Sequence, residues 1–214
     1  MRGNKFLGVI KALLIALIIL SGAIALPVLF RPFFYWHIEP MELGKDLGLT
    51  FNQIKTAYDH MMDFCTGRTD VFSVGVLPWS ESGMAHFADV KQLFLLDLWV
   101  LVIASALLIL LCLVNRRKIL LAGHCPGFWS AVGLGAGFAL VGGLAATDFD
   151  RAFTVFHSLF FPGKGNWLFD PNEDPIILLL PQEFFRNCAL LILSGILLIC
   201  LILILWDLWH RKKC

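Results

Sequence analysis

The chain has 214 residues, 58% of them hydrophobic and 15% charged, with a formal net charge of +1. A mean hydropathy of +0.79 excludes an ordinary water-soluble domain, and no basic run of nucleic-acid type appears. The six cysteines show neither zinc-ligand spacing nor a disulfide framework.

Four apolar stretches, at about residues 7–30, 94–114, 126–147 and 187–207, each approach the roughly 20 residues that a helix needs to cross about 30 Å of hydrocarbon. Lipid leaves no partner for free backbone groups, so these stretches predict helices. The expected architecture is a single all-α membrane domain with four transmembrane helices. Two structured outer segments, about residues 31–93 and 148–186, cap its outer face. The first stretch follows Arg2 and Lys5 as a secretory signal would. Its apolar character continues past Ala23, Ile24 and Ala25 to Phe30, longer than the roughly 7 to 15 residues of a signal core, so a retained span is expected.

Basic residues orient the spans. Arg2, Lys5 and Lys11 flank the first, Arg116, Arg117 and Lys118 follow the second, and Arg211, Lys212 and Lys213 follow the fourth. Four crossings bring all three clusters to one face, while the acids from Glu39 to Glu183 face the other and only Asp207 joins the basic side. The positive-inside rule predicts a multi-pass cell-membrane protein with both termini cytoplasmic. Trp36 and Trp167 then suit the outer interface, and Trp129, Trp206 and Trp209 the inner one. The terminal Lys-Lys-Cys is not a prenylation box, because nothing follows the cysteine.

In the first outer segment, Thr50 is an N-cap candidate. Phe51, Ile54, Tyr58, Met61 and Met62 recur at helical spacing, and Gly67 supplies the stop. DVFSVGVLPW then alternates like a short strand or extended piece, so the outer layer holds amphipathic helices and at most a short strand pair. Ser82 is expected to cap a helix that carries His86, Asp89 and Val90 on one face and runs on into the second span. In the second outer segment, Phe153, Phe156 and Phe160 indicate an interfacial helix, and PGKGN reads as a turn. Asp174-Pro175 reads as a helix start. Pro181-Gln182-Glu183 repeats that signal, so the fourth span begins near Pro181 and IILLL is expected at the lipid surface.

His37, His60, His86 and His157 fall in outer segments, while His124 and His210 sit beside basic clusters as ordinary interface residues. His37 reads as an interfacial anchor and His60 as a solvated helix residue. Asp89 could fix the tautomer of His86, or be only a surface acid. His157, among Val155, Phe156, Leu159 and Phe160, should resist protonation and remain a proton acceptor, although a packed core histidine has the same surroundings. Serine elbow, HExxH, CxxC and phosphate-loop patterns are all absent, and no serine (Ser73, Ser80 and Ser158 included) is marked as a nucleophile. The glycines between Gly133 and Gly143 read as close helix packing. Among the cysteines only Cys65 and Cys188 approach the exterior, and a bridge between them is left open.

FHSLFF (156–161), W-L-F-D-P-x-x-D-P-I-I-x-x-L-P-x-x-F-F (167–185), F-S-V-G-V-L-P-W (72–79) and M-A-H-F-A-D-V-K (84–91) together resemble the lipoprotein intramolecular transacylase (Lit) family of Gram-positive bacteria. The resemblance covers essentially the whole chain. It implies transfer of the sn-2 acyl chain of a diacylglyceryl lipoprotein to the α-amine of its N-terminal cysteine, leaving the lyso form. It also implies that His86 and His157 are the two functional histidines. Asp89 and Asp170 would orient the histidines or their turn. Trp167, Phe169 and the Ile176–Leu180 run would hold acyl chains or the interface. No cofactor and no metal is expected. The partners are the lipoprotein substrate and membrane lipids, without nucleic acid, and the oligomeric state is open, a monomer included. Two other readings fit the residues alone: a non-enzymatic membrane adaptor, and an acyltransferase or hydrolase acting between lipid molecules.

Overall fold

The structure, a computed structural model, describes residues 5–116 and 119–211. Arg2, Arg117, Lys118, Lys212, Lys213 and Cys214 therefore lie outside the described residues. Within them are seven α-helices: α1 (Lys5–Leu29), α2 (Pro32–Ile38), α3 (Phe51–Cys65), α4 (Glu81–Val114), α5 (Pro126–Thr147), α6 (Phe149–Phe160) and α7 (Gln182–Arg211). A single 3-10 helix (Pro175–Leu179) precedes α7. Helices α1, α4, α5 and α7 are long and apolar enough to cross a membrane, and the chain is an all-α, multi-pass membrane protein. Many of their large apolar side chains, among them Leu96, Trp99, Val102, Leu140 and Leu198, point outward, the arrangement that lipid favours and water penalises. Helix α1 continues unbroken through Ala23 and Ala25. At 34 residues, α4 is about 51 Å long and exceeds the roughly 30 Å that a bilayer core requires.

The chain divides into two compact units, one of Met1–Ile24, Asp97–Thr147 and Leu190–Cys214, the other of Ala25–Leu96 and Asp148–Ala189. In the first, Ile19, Ala23, Ala131, Ile196 and Cys200 form the core. Its helices approach closely where side chains are small. A Cβ on Gly135 would meet Cys200, and one on Gly142 would run into Leu193, whereas Gly133, Gly137 and Gly143 face open space. Only the first two serve the expected packing role. His124 is more than an interface residue. Its Nδ1 lies 2.7 Å from Oδ2 of the buried Asp207, whose Oδ1 accepts the Cys125 N–H at 2.9 Å.

The second unit holds the larger core. Thr50 caps α3 through a reciprocal box: its hydroxyl accepts the Gln53 N–H, and Gln53 Oε1 accepts the Thr50 N–H at 2.9 Å. The face predicted for α3 is buried at Ile54, Tyr58, Met61 and Met62, while Phe51 stays exposed. Gly67, at φ +73°, ends the helix in a conformation that costs any other residue strain. Phe34 stacks on Tyr58 with ring centroids 3.8 Å apart. The Arg31 guanidinium joins α2 to α3 through Asp59 and Asp63. Cys65 and Cys188 are free thiols, and burial pushes the Cys65 thiol up to about 12.

Three local expectations are corrected. DVFSVGVLPW forms no strand: Phe72 and Val74 turn inward and Val71 outward, as alternation predicted, but Val76, expected on the side of Phe72 and Val74, is exposed, and among the described residues no neighbouring strand supplies a ladder. Ser80, not Ser82, caps α4, its Oγ accepting the Gly83 N–H at 3.0 Å. IILLL is not a lipid-surface element, because Ile176, Leu179 and Leu180 are buried in the protein core beside Phe184. Its 3-10 geometry, three residues per turn, sends Ile176 and Leu179 to the same inward side.

Candidate active site

Three segments of the second unit build the site. Helix α4 contributes His86 and Asp89, three residues apart on one face. Helix α6 begins at Asp148, whose carboxylate accepts the Arg151 N–H at 2.9 Å, and it carries His157 in its last turn. The chain then reverses through Gly163, at φ +72°, into the turn that bears Lys164, Asn166, Trp167 and Phe169.

The histidines are brought together. Their ring centroids lie 6.1 Å apart with planes at 29°, and the residues are only 5% and 9% exposed. Aromatic rings surround them. Trp167 stacks on His157 at 4.6 Å and Phe153 lies at 4.2 Å. Phe161 and Phe169 meet His86 edge-on at 4.8 and 5.4 Å. Beside this cage, Val155, Phe156, Leu159, Phe160 and Leu168 expose apolar surface.

His157 Nδ1 lies 2.8 Å from the Phe153 carbonyl. A carbonyl only accepts, so Nδ1 carries the proton of the neutral ring and Nε2 keeps its lone pair. Burial disfavours the imidazolium and holds His157 below its ordinary value, outweighing the opposing effect of the Phe153 carbonyl. His86 Nδ1 and Asn166 Oδ1 are the buried side-chain polar atoms left without a hydrogen-bond partner among the described residues.

Asp89 turns to the loop: its Oδ1 accepts from Lys164 Nζ at 2.6 Å and its Oδ2 from Asn166 Nδ2 at 3.4 Å. Asp170 stands apart from the rings and closes a local turn, its carboxylate accepting the Asn172 N–H at 2.9 Å. Trp167 and Phe169 are half-buried against the histidines, whereas the Ile176–Leu180 run packs in the core. Two features escaped the sequence reading. Asn166 and Lys164 looked like turn residues, and Asp174 looked like a helix cap. Asp174 does stand at the N-cap position of the 3-10 helix that Pro175 opens, but its side chain holds Ser80. The remaining outer histidines stay outside the site: His37 donates to the Phe33 carbonyl at 2.6 Å, and the exposed His60 lies 3.2 Å from Ser73 Oγ.

Among the described residues, no three His, Cys, Asp or Glu side chains gather as a metal site would need. Ser80 donates to Asp174 and Ser158 to the Thr154 carbonyl, so neither hydroxyl is directed at an imidazole. The arrangement offers two buried imidazoles in an aromatic enclosure. Such a pair can take a proton from one reacting group and serve another a few ångströms away.

The family model described as lipoprotein intramolecular transacylase Lit matches residues 9–185. Among solved structures, the membrane integral lipoprotein intramolecular transacylase Lit from Bacillus cereus is similar with a TM-score of 0.85 and 24% identity, covering 98% of each chain. Two variants of that Bacillus cereus protein, each with one histidine replaced, match at 23% identity with TM-scores of 0.78 and 0.77. They cover 98% of this chain, and 92% and 96% of their own. No curated protein matches the chain. At these identities the solved structures establish a shared fold.

Proposed function

Because the chain belongs to the lipoprotein intramolecular transacylase (Lit) family, we propose that it moves the sn-2 acyl chain of a diacylglyceryl lipoprotein to the α-amine of the same molecule's N-terminal cysteine. The product is the N-acyl, S-monoacylglyceryl lyso form. The observation that carries this reading is the pairing of His86 and His157, 6.1 Å apart in a buried aromatic enclosure.

An α-amine has a pKa of about 7.7–8.0, so at neutral pH it is mostly ammonium and needs a base. One imidazole takes its proton. The freed nitrogen attacks the sn-2 carbonyl carbon, forming the C–N bond. As the bond forms, the nitrogen gives up its second proton to the lone pair of the other imidazole. The carbonyl then re-forms as the C–O bond to glycerol breaks, the departing oxygen receives that proton, and the first imidazole returns its own to solvent. A positioned acid or base is worth about 10²- to 10⁴-fold. Nucleophile and ester both belong to the substrate, so no acyl-enzyme is formed and no activated serine or cysteine is needed. The attack closes a medium-sized ring through the cysteine, its thioether and the glyceryl carbons. The aromatic walls support this by restricting the substrate to folded conformers. The exposed apolar side chains of α6 and Leu168 suit contact with acyl chains.

Of the sixteen acidic residues only Asp97 and Asp207 fall in the unit containing most of the four long helices, which also carries Lys5, Lys11 and Arg116. This charge division supports cytoplasmic termini and an extracellular site in the other unit. Mass spectrometry of lipopeptides from cells with and without the protein tests the reaction. N-acylated lyso lipopeptides are expected only with it, and unchanged lipopeptides would overturn the reading. Free fatty acid would indicate hydrolysis. His86→Gln and His157→Gln, inserted normally, should each abolish conversion.

A further inference from the structure

Buried polar atoms in folded proteins are almost always hydrogen-bonded. Here the described residues leave two side-chain atoms unpartnered, His86 Nδ1 and Asn166 Oδ1, and both belong to one site. Their side chains are neighbours. An amide side chain has two orientations that ordinary data distinguish poorly, but Asp89 decides this one. A carboxylate only accepts, so the NH₂ group of Asn166 faces it, with Nδ2 at 3.4 Å from Oδ2. Lys164 Nζ, 2.6 Å from the other carboxylate oxygen, anchors Asp89. Oδ1 is thereby directed away from Asp89, and as an acceptor it needs a donor. The unpartnered buried atom beside it that can donate is His86 Nδ1.

We propose that Asn166 is the positioning residue of His86, accepting the Nδ1–H on its Oδ1 and leaving the lone pair on Nε2. One such bond satisfies both atoms at once. His157 reaches the same tautomer by another device, its Nδ1–H donating to the Phe153 carbonyl. Both imidazoles then present Nε2 as the free nitrogen. The choice of an amide has a chemical reason. A carboxylate touching Nδ1 would stabilise the imidazolium, whereas an amide oxygen orients the ring without adding charge. The anion of Asp89 stands one residue further along the relay, paired with Lys164. The charged or titratable groups facing His86 are His157 from α6, Asp89 from its own helix and Lys164 from the turn.

This inference rests on the reading of His86 and His157 as the reacting pair, but its test has a readout independent of conversion. Nitrogen-15 spectra of histidine-labelled protein in lipid bilayers distinguish Nδ1–H from Nε2–H tautomers, and the His86 signals are identified by their loss in His86→Gln. The intact protein should show His86 as Nδ1–H. Asn166→Ala should move it to a mixture and lower kcat about 10- to 100-fold, part of the roughly 10²- to 10⁴-fold that a positioned acid or base supplies, with KM little changed. Asn166→Asp should restore the tautomer but shift the acidic limb of the pH–rate profile to higher pH. An Nε2–H ring in the intact protein would overturn the proposal. So would an Asn166→Ala protein with unchanged tautomer and kcat. A rise in KM alone would assign the amide to the substrate instead. Full conversion by His86→Gln would overturn the functional reading itself, a result the tautomer spectra cannot produce.

Discussion

The buried carboxylate of Asp174 accepts two hydrogen bonds from Ser80, one from its backbone N–H at 2.7 Å and one from its hydroxyl at 2.6 Å. Ser80 Oγ in turn accepts the Gly83 N–H at 3.0 Å. The start of α4 is thus tied to the end of the turn that carries Trp167 and Phe169, and His86 lies less than two helical turns beyond the tie. A negative group at a helix N-terminus is also favoured by the aligned peptide dipoles.

Asp174→Ala should therefore destabilise the protein by about 3 kcal/mol, since it leaves two donors of Ser80 without their charged acceptor. Ser80→Ala keeps the backbone bond and loses the cap, for about 1 kcal/mol. Thermal unfolding in detergent, with conversion measured on the same samples, checks the order. Equal and small losses for the two variants would mean that the link carries little.

The pair of Asp89 and Lys164 calls for a different expectation. The lysine side chain is about half exposed, so the ion pair should add only about 0–1 kcal/mol to stability. Its role is to hold Asp89, and through Asp89 the turn. Lys164→Met should leave the unfolding temperature nearly unchanged while reducing conversion about tenfold, a loss of about 1.4 kcal/mol in transition-state stabilisation. Unchanged conversion would show that the turn is held without it.

What the sequence made legible was mostly local. The N-cap at Thr50 could be read directly, as could the buried stripe of α3 and the presence of four long apolar helices. The alternation separated inward Phe72 and Val74 from outward Val71 but failed at Val76, which is exposed. It could not show a ladder, because a strand needs a partner that no local pattern specifies. IILLL was misread for a related reason: five apolar residues suit a protein core as well as a lipid surface. Ser80 with Asp174, 94 positions apart, and Asp89 with Asn166, 77 apart, left no local trace. Asn166 was further hidden in a Gly-rich turn whose composition already accounted for it. The pairing of His86 with His157 was reached through family resemblance, since periodicity assigned each only to its own helix.

Trp167 tests whether the aromatic enclosure positions the chemistry. Its ring stacks on His157 at 4.6 Å and lies 6.5 Å from Phe153. An aromatic pair of this kind is worth about 0.5–1.5 kcal/mol beyond buried area. Trp167→Ala should lower conversion about tenfold, a loss of about 1.4 kcal/mol in transition-state stabilisation. Trp167→Phe, which keeps a ring against the imidazole, should retain most of it. If alanine and phenylalanine behave alike, stacking is not what orients His157.

The depressed basicity of His157 makes a signed prediction about pH. Above about pH 6.5, the ordinary histidine value, the ring is neutral whether the protein is folded or unfolded, and it contributes no pH dependence. Below that value the unfolded chain takes up a proton that the buried ring resists, so stability falls as the pH falls. The loss continues until the pH passes the lower folded-state value and then levels off. His157→Gln lacks this titration. The stability difference between the parent protein and the variant should therefore shift in favour of the variant between pH 7 and pH 5. Thermal unfolding of both proteins in one detergent across that range measures it. A difference that stays constant with pH would mean that the folded protein binds the proton at His157 as readily as the unfolded chain, and the neutral imidazole assigned to the site would be lost with it.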